Sequence, residues 1–378
     1  MATSSTPAGQ SDLHRSPLHE RHAALGAKTA PFGGWEMPLE YAGGIVAEHK
    51  AVRAAAGIFD VSHLGKVVVR GPGAAAYVNA TLTNDLERIG PGQAQYTLCC
   101  DDATGGVVDD LIVYLVSDQE LLLVPNAANT AEVVRRLAAA APDGVEVLDQ
   151  HHAHAVLAVQ GPAADAVLVD AGMPTGHDYM SFTHTRISVG GEDVGVVVCR
   201  TGYTGERGYE LLAPAGAAVA LWDLLLAAGE DHAMVPCGLG ARDTLRTEMG
   251  YPLHGQDIGP DVTPVQGRIG WAVGWRKPAF WGREVLLAEK ERGPERVLRG
   301  IRAVGRGIPR PGMAVRDAEG REVGTVTSGT FSPSLRAGVG LALLAASVAE
   351  GDEVSVDVRG RAEAFSVQRP PFVDAAPR

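Results

Sequence analysis

An acidic pair, Asp109-Asp110, stands inside a run where Val107, Val108, Leu111, Ile112 and Val113 otherwise want burial. A carboxylate among apolar groups is either paired or chemically employed, because removing a bare charge from water is costly. The alternative is an edge strand blunted by charged residues. Glu210 repeats the pattern. It interrupts an apolar strand just beyond Thr201-Gly-Tyr-Thr-Gly-Glu-Arg-Gly, where three glycines permit positive φ and close ligand approach. A third polar cluster lies on CGLGARDTLRTEMG (237–250), a helix with Arg242 and Arg246 one turn apart and Asp243 and Glu248 beside them. The ordinary reading of such a helix is an exposed, salt-bridged face.

Two other constellations carry less. Asp60, Ser62 and His63 have the residue types of a catalytic triad, but triad members must meet in space and close neighbours in a strand mostly do not, so hydrogen-bonding structural roles are expected. His151, His152 and His154 lack Cys or carboxylate partners at ligand spacing, and no metal is expected.

The elements around the acidic pair follow from its flanks. In Gln95–Val116, QYTLCCDDATGGVVDDLIVYLV, two strand-like runs enclose a turn rich in Asp, Thr and Gly, which predicts a β-hairpin. Strict alternation puts Asp110 on one face with Val108, Ile112 and Tyr114, and Asp109 on the other with Val107, Leu111 and Val113. One carboxylate should meet solvent and the other lie among apolar groups.

Before the hairpin, a helix is predicted from Ser16-Pro17 to Gly26, a loop over 30–44, a helix over 45–56, a strand over 66–70 and a helix within 73–82. After it come a strand at 120–125, then Asn126-Ala-Ala-Asn129 as the N-cap of a helix over 130–141. A strand at 155–161 and a helix at 162–172 continue an α+β pattern, and a second hairpin spans 194–214. No glycine-rich phosphate fingerprint follows any strand. Residues 276–295 mix a short helix with a charged linker, the expected domain boundary. Beyond it, short alternating runs and tight turns predict a small β-sandwich or barrel of about 80 residues.

Composition limits the function classes. The 378 residues suit two or three domains, and a net charge of −12 argues against nucleic acid or an anionic membrane as partner. No apolar run reaches membrane-spanning length. MATSSTPAGQSDLHRS reads as a disordered tail over 1–15 without the pattern of a secretory signal, and four cysteines without CxxC spacing suit reduced thiols. A cytoplasmic location is expected.

Taken together, PFGGWEMPLEY, IFDVSH, QYTL followed by GGVVDDLIVY, LAVQGP, GYTGERGYE, ARDTLR, TPVQG, FWGRE and GTVTSGTFSPSL resemble the glycine-cleavage T-protein family of tetrahydrofolate-dependent aminomethyltransferases. The resemblance runs from Ser16-Pro17-Leu18 nearly to Pro371-Phe372-Val373. It implies an α+β, three-lobed cloverleaf: two interleaved α+β lobes over 16–285 and a C-terminal β-barrel over 293–374, around a central folate pocket. It further implies Asp110 as the catalytic carboxylate, Glu210 and Arg242 as pterin-site residues, and Tyr96, Tyr114, Tyr203 and Tyr251 as ring-lining aromatics. The chemistry agrees, since a carboxylate accepts two adjacent pterin donors and tyrosines give flat cover with a polar rim.

The implied reaction passes the aminomethyl group on a lipoylated H protein to tetrahydrofolate with release of ammonia. Asp110 would stabilise the cationic one-carbon unit and relay a proton. Arg268, Arg276 and Lys277 are the basic residues expected to meet an acidic carrier. Leu64, His254, Gln266 and the histidines at 151–154 depart from the family pattern. They keep open a folate-dependent demethylase or methyl- or hydroxymethyltransferase acting on a small molecule, and, in a different class, a non-enzymatic folate-binding protein.

Overall fold

A computed structural model describes residues 13–374. A small sheet opens the chain: His14–Arg15 pairs in parallel with Trp35–Glu40, which pairs antiparallel with Lys28–Phe32. The predicted loop over 30–44 is thus largely a hairpin, because Gly33 and Gly34, both at positive φ, close a tight turn between two extended runs. The tail expected over 1–15 lies outside the described residues up to position 12.

Two larger sheets form by interleaving. The chain lays down Ala56–Asp60, leaves to build a five-stranded sheet, then returns. That second sheet runs Gln93–Cys100, Val107–Ser117, Glu120–Val124, Val67–Arg70, Glu146–Asp149. The first is completed by Phe182–Val189, Glu192–Cys199, Gly208–Pro214, His154–Gln160 and Met234–Cys237, with Ala56–Asp60 between the last two. Each sheet covers its own apolar cluster. Ile58, Leu157, Val196, Leu211 and Trp222 anchor one, and Val67, Leu111, Leu121 and Leu137 the other. Each such side chain contributes roughly 1.5–3 kcal/mol on burial. A third cluster joins the lobes, bringing Phe59, Tyr114, Cys199, Leu212 and Leu245 together.

From Arg296 to Gln368 six strands close into a barrel, in the order Arg296–Ala303, Ala337–Ala345, Glu322–Ser332, Ala314–Arg316, Glu353–Val358, Arg361–Gln368. Closure removes the sheet edges, and Ile301, Val315, Leu344 and Phe365 fill the inside.

Helix Leu239–Met249 packs against helix Gly44–Ala54, strand Trp35–Glu40 and two barrel strands. Thr244, Arg246, Thr247 and Glu248 are therefore buried against protein, which overturns the exposed, salt-bridged face expected of this helix; Asp243 alone of the acids keeps a half-exposed side chain. Arg246 is buried and donates to Asp257 (2.7 Å), Asp243 (2.7 Å) and Ser328 (2.8 Å). Glu248, also buried, accepts from Arg53 (2.9 Å), Ser334 Oγ (2.9 Å) and Ser332. These charges tie lobe to barrel. The amphipathic spacing showed a polar face without showing what covers it.

Candidate functional site

Asp110 lies on the strand Val107–Ser117, opposite Leu98. A β-bulge at Val108 shifts the register between Asp109 and Val107. It corrects the simple alternation: Val108 packs with Leu111 and Val113, whereas Val107 packs with Leu98 and Cys100. Asp109 is fully buried and Asp110 half-buried.

The two carboxyl groups share a donor. Asn126 Nδ2 is 2.9 Å from Asp109 Oδ1 and 2.9 Å from Asp110 Oδ1. The Asn126 backbone N–H donates to Asp109 Oδ2 at 3.0 Å, and Asn129 Nδ2 to Asp109 Oδ1 at 2.7 Å. Tyr96 donates its hydroxyl to Asp110 Oδ2 at 3.0 Å. Burial pushes both carboxyls above the usual range; the charge of Asp110 adds to this at Asp109, and the Asn and Tyr donors oppose it. The sequence predicts Asn126–Asn129 as a helix N-cap, but neither asparagine side chain caps helix Thr130–Ala140. Their amides serve the acids instead. Residue type and position matched a cap, so only the spatial approach of the hairpin could reveal this role.

A second group lies on the other lobe and the central helix. Thr201 donates to Glu210 Oε2 at 2.6 Å, so Tyr114, 3.1 Å away, must donate to Thr201 Oγ1. Tyr114 is buried edge-on to Phe182, a support beneath Thr201. The Arg242 guanidinium sits 4.7 Å from the centre of the Tyr203 ring, and its Nη1 is buried with no partner in the protein. Burial pulls its pKa down while Glu210 and Tyr203 hold it up. Tyr203 donates to Pro252 O at 2.6 Å and lies against Tyr251, ring centres 5.7 Å apart. Asp110 and Tyr203 are close enough to interact electrostatically, which joins the two groups. Tyr96 stacks at 5.1 Å on Trp271, a tryptophan 64% exposed at the rim.

The loop carrying Tyr251 and His254 reaches the hairpin over glycine. A Cβ on Gly106 would lie 1.8 Å from the Pro260 carbonyl oxygen, and Val107 N–H bonds Gly259 O (3.0 Å). His254 bonds Val107 O through Nε2 (2.9 Å) and meets Asn129 through Nδ1 (3.0 Å).

Elsewhere, Asp60 is a structural acceptor, buried with Ser16, His22 and the Ser62 N–H as donors. His151 and His152 stack beside Trp35, and no group of three or more His, Cys, Asp or Glu among the described residues is arranged to hold a metal. Lys277 is buried, donating to Leu82 O (2.6 Å) and Asn84 O (2.8 Å), so it braces two segments and offers no docking charge; Arg268 pairs with Glu350, and Arg276 is exposed. Among the described residues no helix is long and apolar enough to cross a membrane.

Two interleaved α+β lobes, a closed barrel and an acid pair within electrostatic reach of a tyrosine–arginine group make this a multi-lobed α+β protein with a polar site shared between its lobes. Residues 18–277 match the model of the GCVT N-terminal domain, and 296–374 that of the glycine cleavage T-protein C-terminal barrel domain. An aminomethyltransferase of Parafrankia sp. (strain EAN1pec) is 65% identical over 368 residues, covering 97% of this chain and 100% of that one. One from Mycobacterium tuberculosis (strain ATCC 25618 / H37Rv) is 59% identical over 364 residues, 96% of this chain and 97% of its own. The crystal structure of glycine cleavage system aminomethyltransferase T from Bartonella henselae superposes with a TM-score of 0.89 at 36% identity, covering 96% and 99% of the two chains. The chain belongs to the glycine cleavage T-protein family, and it is an aminomethyltransferase.

Proposed function

We propose that this enzyme takes the one-carbon unit of an aminomethyl group carried on a lipoylated H protein, with tetrahydrofolate as acceptor and ammonia as second product, in the cytoplasm. The observation that carries the folate reading is Arg242: a buried guanidinium nitrogen without a protein partner, over an aromatic ring and within electrostatic reach of Glu210, asks for a flat, polar ligand. Glu210 fits the same ligand. Thr201 occupies one carboxylate oxygen, leaving the other to accept pterin donors. Tyr203 and Tyr251 give cover for a ring, and Tyr96 with Trp271 gives cover toward the rim.

Tetrahydrofolate, when bound, supplies the nitrogens that accept the one-carbon unit. The chain's own contribution is at Asp110. Its carboxylate, half-buried among apolar and aromatic groups, carries a negative charge that acts more strongly on a developing cation than it would in water. Tyr96 and Asn126 fix its two oxygens, so either can hold a proton without the group turning away. The folate-binding region spans 16–285 and the barrel 293–374, the barrel bracing the central helix that carries Arg242. The test is turnover of aminomethyl-loaded H protein with tetrahydrofolate, following ammonia and methylenetetrahydrofolate. Activity is expected. Tight folate binding without turnover of H protein would move the reading to another one-carbon donor, and absence of folate binding would overturn it.

A further inference from the structure

Behind the acid pair runs a chain of hydrogen bonds whose directions are fixed. Val107 O can only accept, so His254 Nε2, 2.9 Å away, carries its hydrogen. Asn129 Nδ2 has two hydrogens and two neighbours, Asp109 Oδ1 at 2.7 Å and His254 Nδ1 at 3.0 Å. With Asp109 ionised, turning the amide over would set its carbonyl against an oxygen that already accepts from Asn126, so the nitrogen faces both. Nδ1 of His254 is then a bare lone pair, and the imidazole is the neutral Nε2–H tautomer. From Asp109 the chain continues through Asn126 to Asp110.

We propose that His254 is a positioning residue for the transfer reaction: its neutral tautomer aims Asn129 at Asp109, which frees Asn126 to hold Asp110 in its working orientation. The proposal rests on the reading that Asp110 does the chemistry. A proton on Nδ1 would set an N–H against the N–H of Asn129. Asn129 would then have to turn its carbonyl toward His254, and Asp109 would lose one of its three donors. Asn126 would be drawn toward Asp109, loosening Asp110.

Solvent has a way to this imidazole. His254 and Asn129 line a cleft of about 440 Å³ whose rim includes the exposed Asp261. Besides Asp109 and Asp110 on the strand, the charged groups of this cleft are Asp101 at the hairpin turn, Glu132 and Arg136 on helix Thr130–Ala140, and Asp261 on the loop of His254. Acids outnumber the single arginine. Anything that removes the bare Nδ1 acceptor from this site should lower turnover.

Three measurements test this. Imidazole nitrogen NMR of the intact enzyme without ligands should show His254 with a protonated Nε2 and a bare Nδ1; a hydrogen on Nδ1 at neutral pH would overturn the proposal. His254→Phe should lower kcat about tenfold or more while the folate Kd stays within about threefold. His254→Gln can accept from Asn129 and donate to Val107 O. It should restore kcat to within about threefold. A His254→Phe enzyme with unchanged kcat would sink the idea, as would a His254→Gln enzyme as impaired as His254→Phe. If Asp110→Asn, measured beside them, kept full turnover, the reading of Asp110 would fall, whereas the NMR result judges the hydrogen-bond chain alone.

Discussion

Tyr96 and Asp110 are diagonal neighbours on one face of a hairpin. Asp110 is opposite Leu98, Tyr96 is opposite Ile112, and the phenol crosses the step to lie 3.0 Å from the Asp110 carboxyl. Burial holds the Tyr96 phenol well above its ordinary pKa, so it remains a donor throughout the working range of pH. A donor to the ionised carboxylate lowers that group's pKa, and removing it raises the pKa. Tyr96→Phe should therefore move the acid limb of kcat to higher pH and lower kcat about two- to tenfold, read from pH–rate profiles on the same H protein substrate.

Asp110→Asn keeps size and shape but removes the charge. Turnover should fall by about 10²–10⁴, the range for one acid–base or electrostatic group. Folate affinity by calorimetry should stay within about threefold. A tenfold loss of affinity at unchanged turnover would make Asp110 a binding residue only.

Arg242→Met removes a buried guanidinium whose Nη1 lacks a partner in the protein. Folate Kd should rise about 10–100-fold, the cost of losing a charged hydrogen bond, with kcat at saturating folate within about threefold. The melting temperature without folate should hardly change, because that nitrogen makes no hydrogen bond within the fold.

Glu248 sets an acid limit on the tie between lobe and barrel. Burial works to raise its carboxyl, but His49, Ser332 and Arg53 outweigh this and lower it from 4.5 to about 2. A carboxyl with a depressed folded-state pKa adds stability that is fully present above 4.5 and disappears as pH falls toward about 2. Glu248→Gln should cost on the order of 2 kcal/mol at pH 7 and flatten the pH dependence of stability between those limits, measured by urea unfolding at successive pH values.

Much of this was legible in the chain. Both hairpins, the helices over 45–56 and 130–141, and the C-terminal β unit announced themselves by period and turn chemistry. The acid pair announced itself by standing where apolar residues belong. What stayed hidden depended on distant contacts. Val108 gave no sign of a bulge, because valine suits either face of a strand. Asn126 and Asn129 look the same whether an amide caps a helix or feeds a carboxylate 16 to 20 residues away. Helix Leu239–Met249 carries Arg and Glu as an exposed helix would, and only its packing against helix Gly44–Ala54 and the barrel buries them. His254 stood out as an unusual residue in its motif, with nothing local to say that Asn129 waits across the fold.

The interleaved lobes also constrain how the protein is made. Strand Ala56–Asp60 lies between His154–Gln160 and Met234–Cys237, so Ile58 finds its partner Pro236 only after roughly 180 further residues have been synthesised. At ribosomal speeds of about 5–20 residues per second, that edge of the first lobe waits on the order of ten seconds or more with its apolar face uncovered. The five-stranded sheet meets no such delay, since all its strands lie between Val67 and Asp149. The second lobe to begin is thus the first that can finish, and nascent chains stalled between residues 150 and 234 should be those that most need a chaperone's cover.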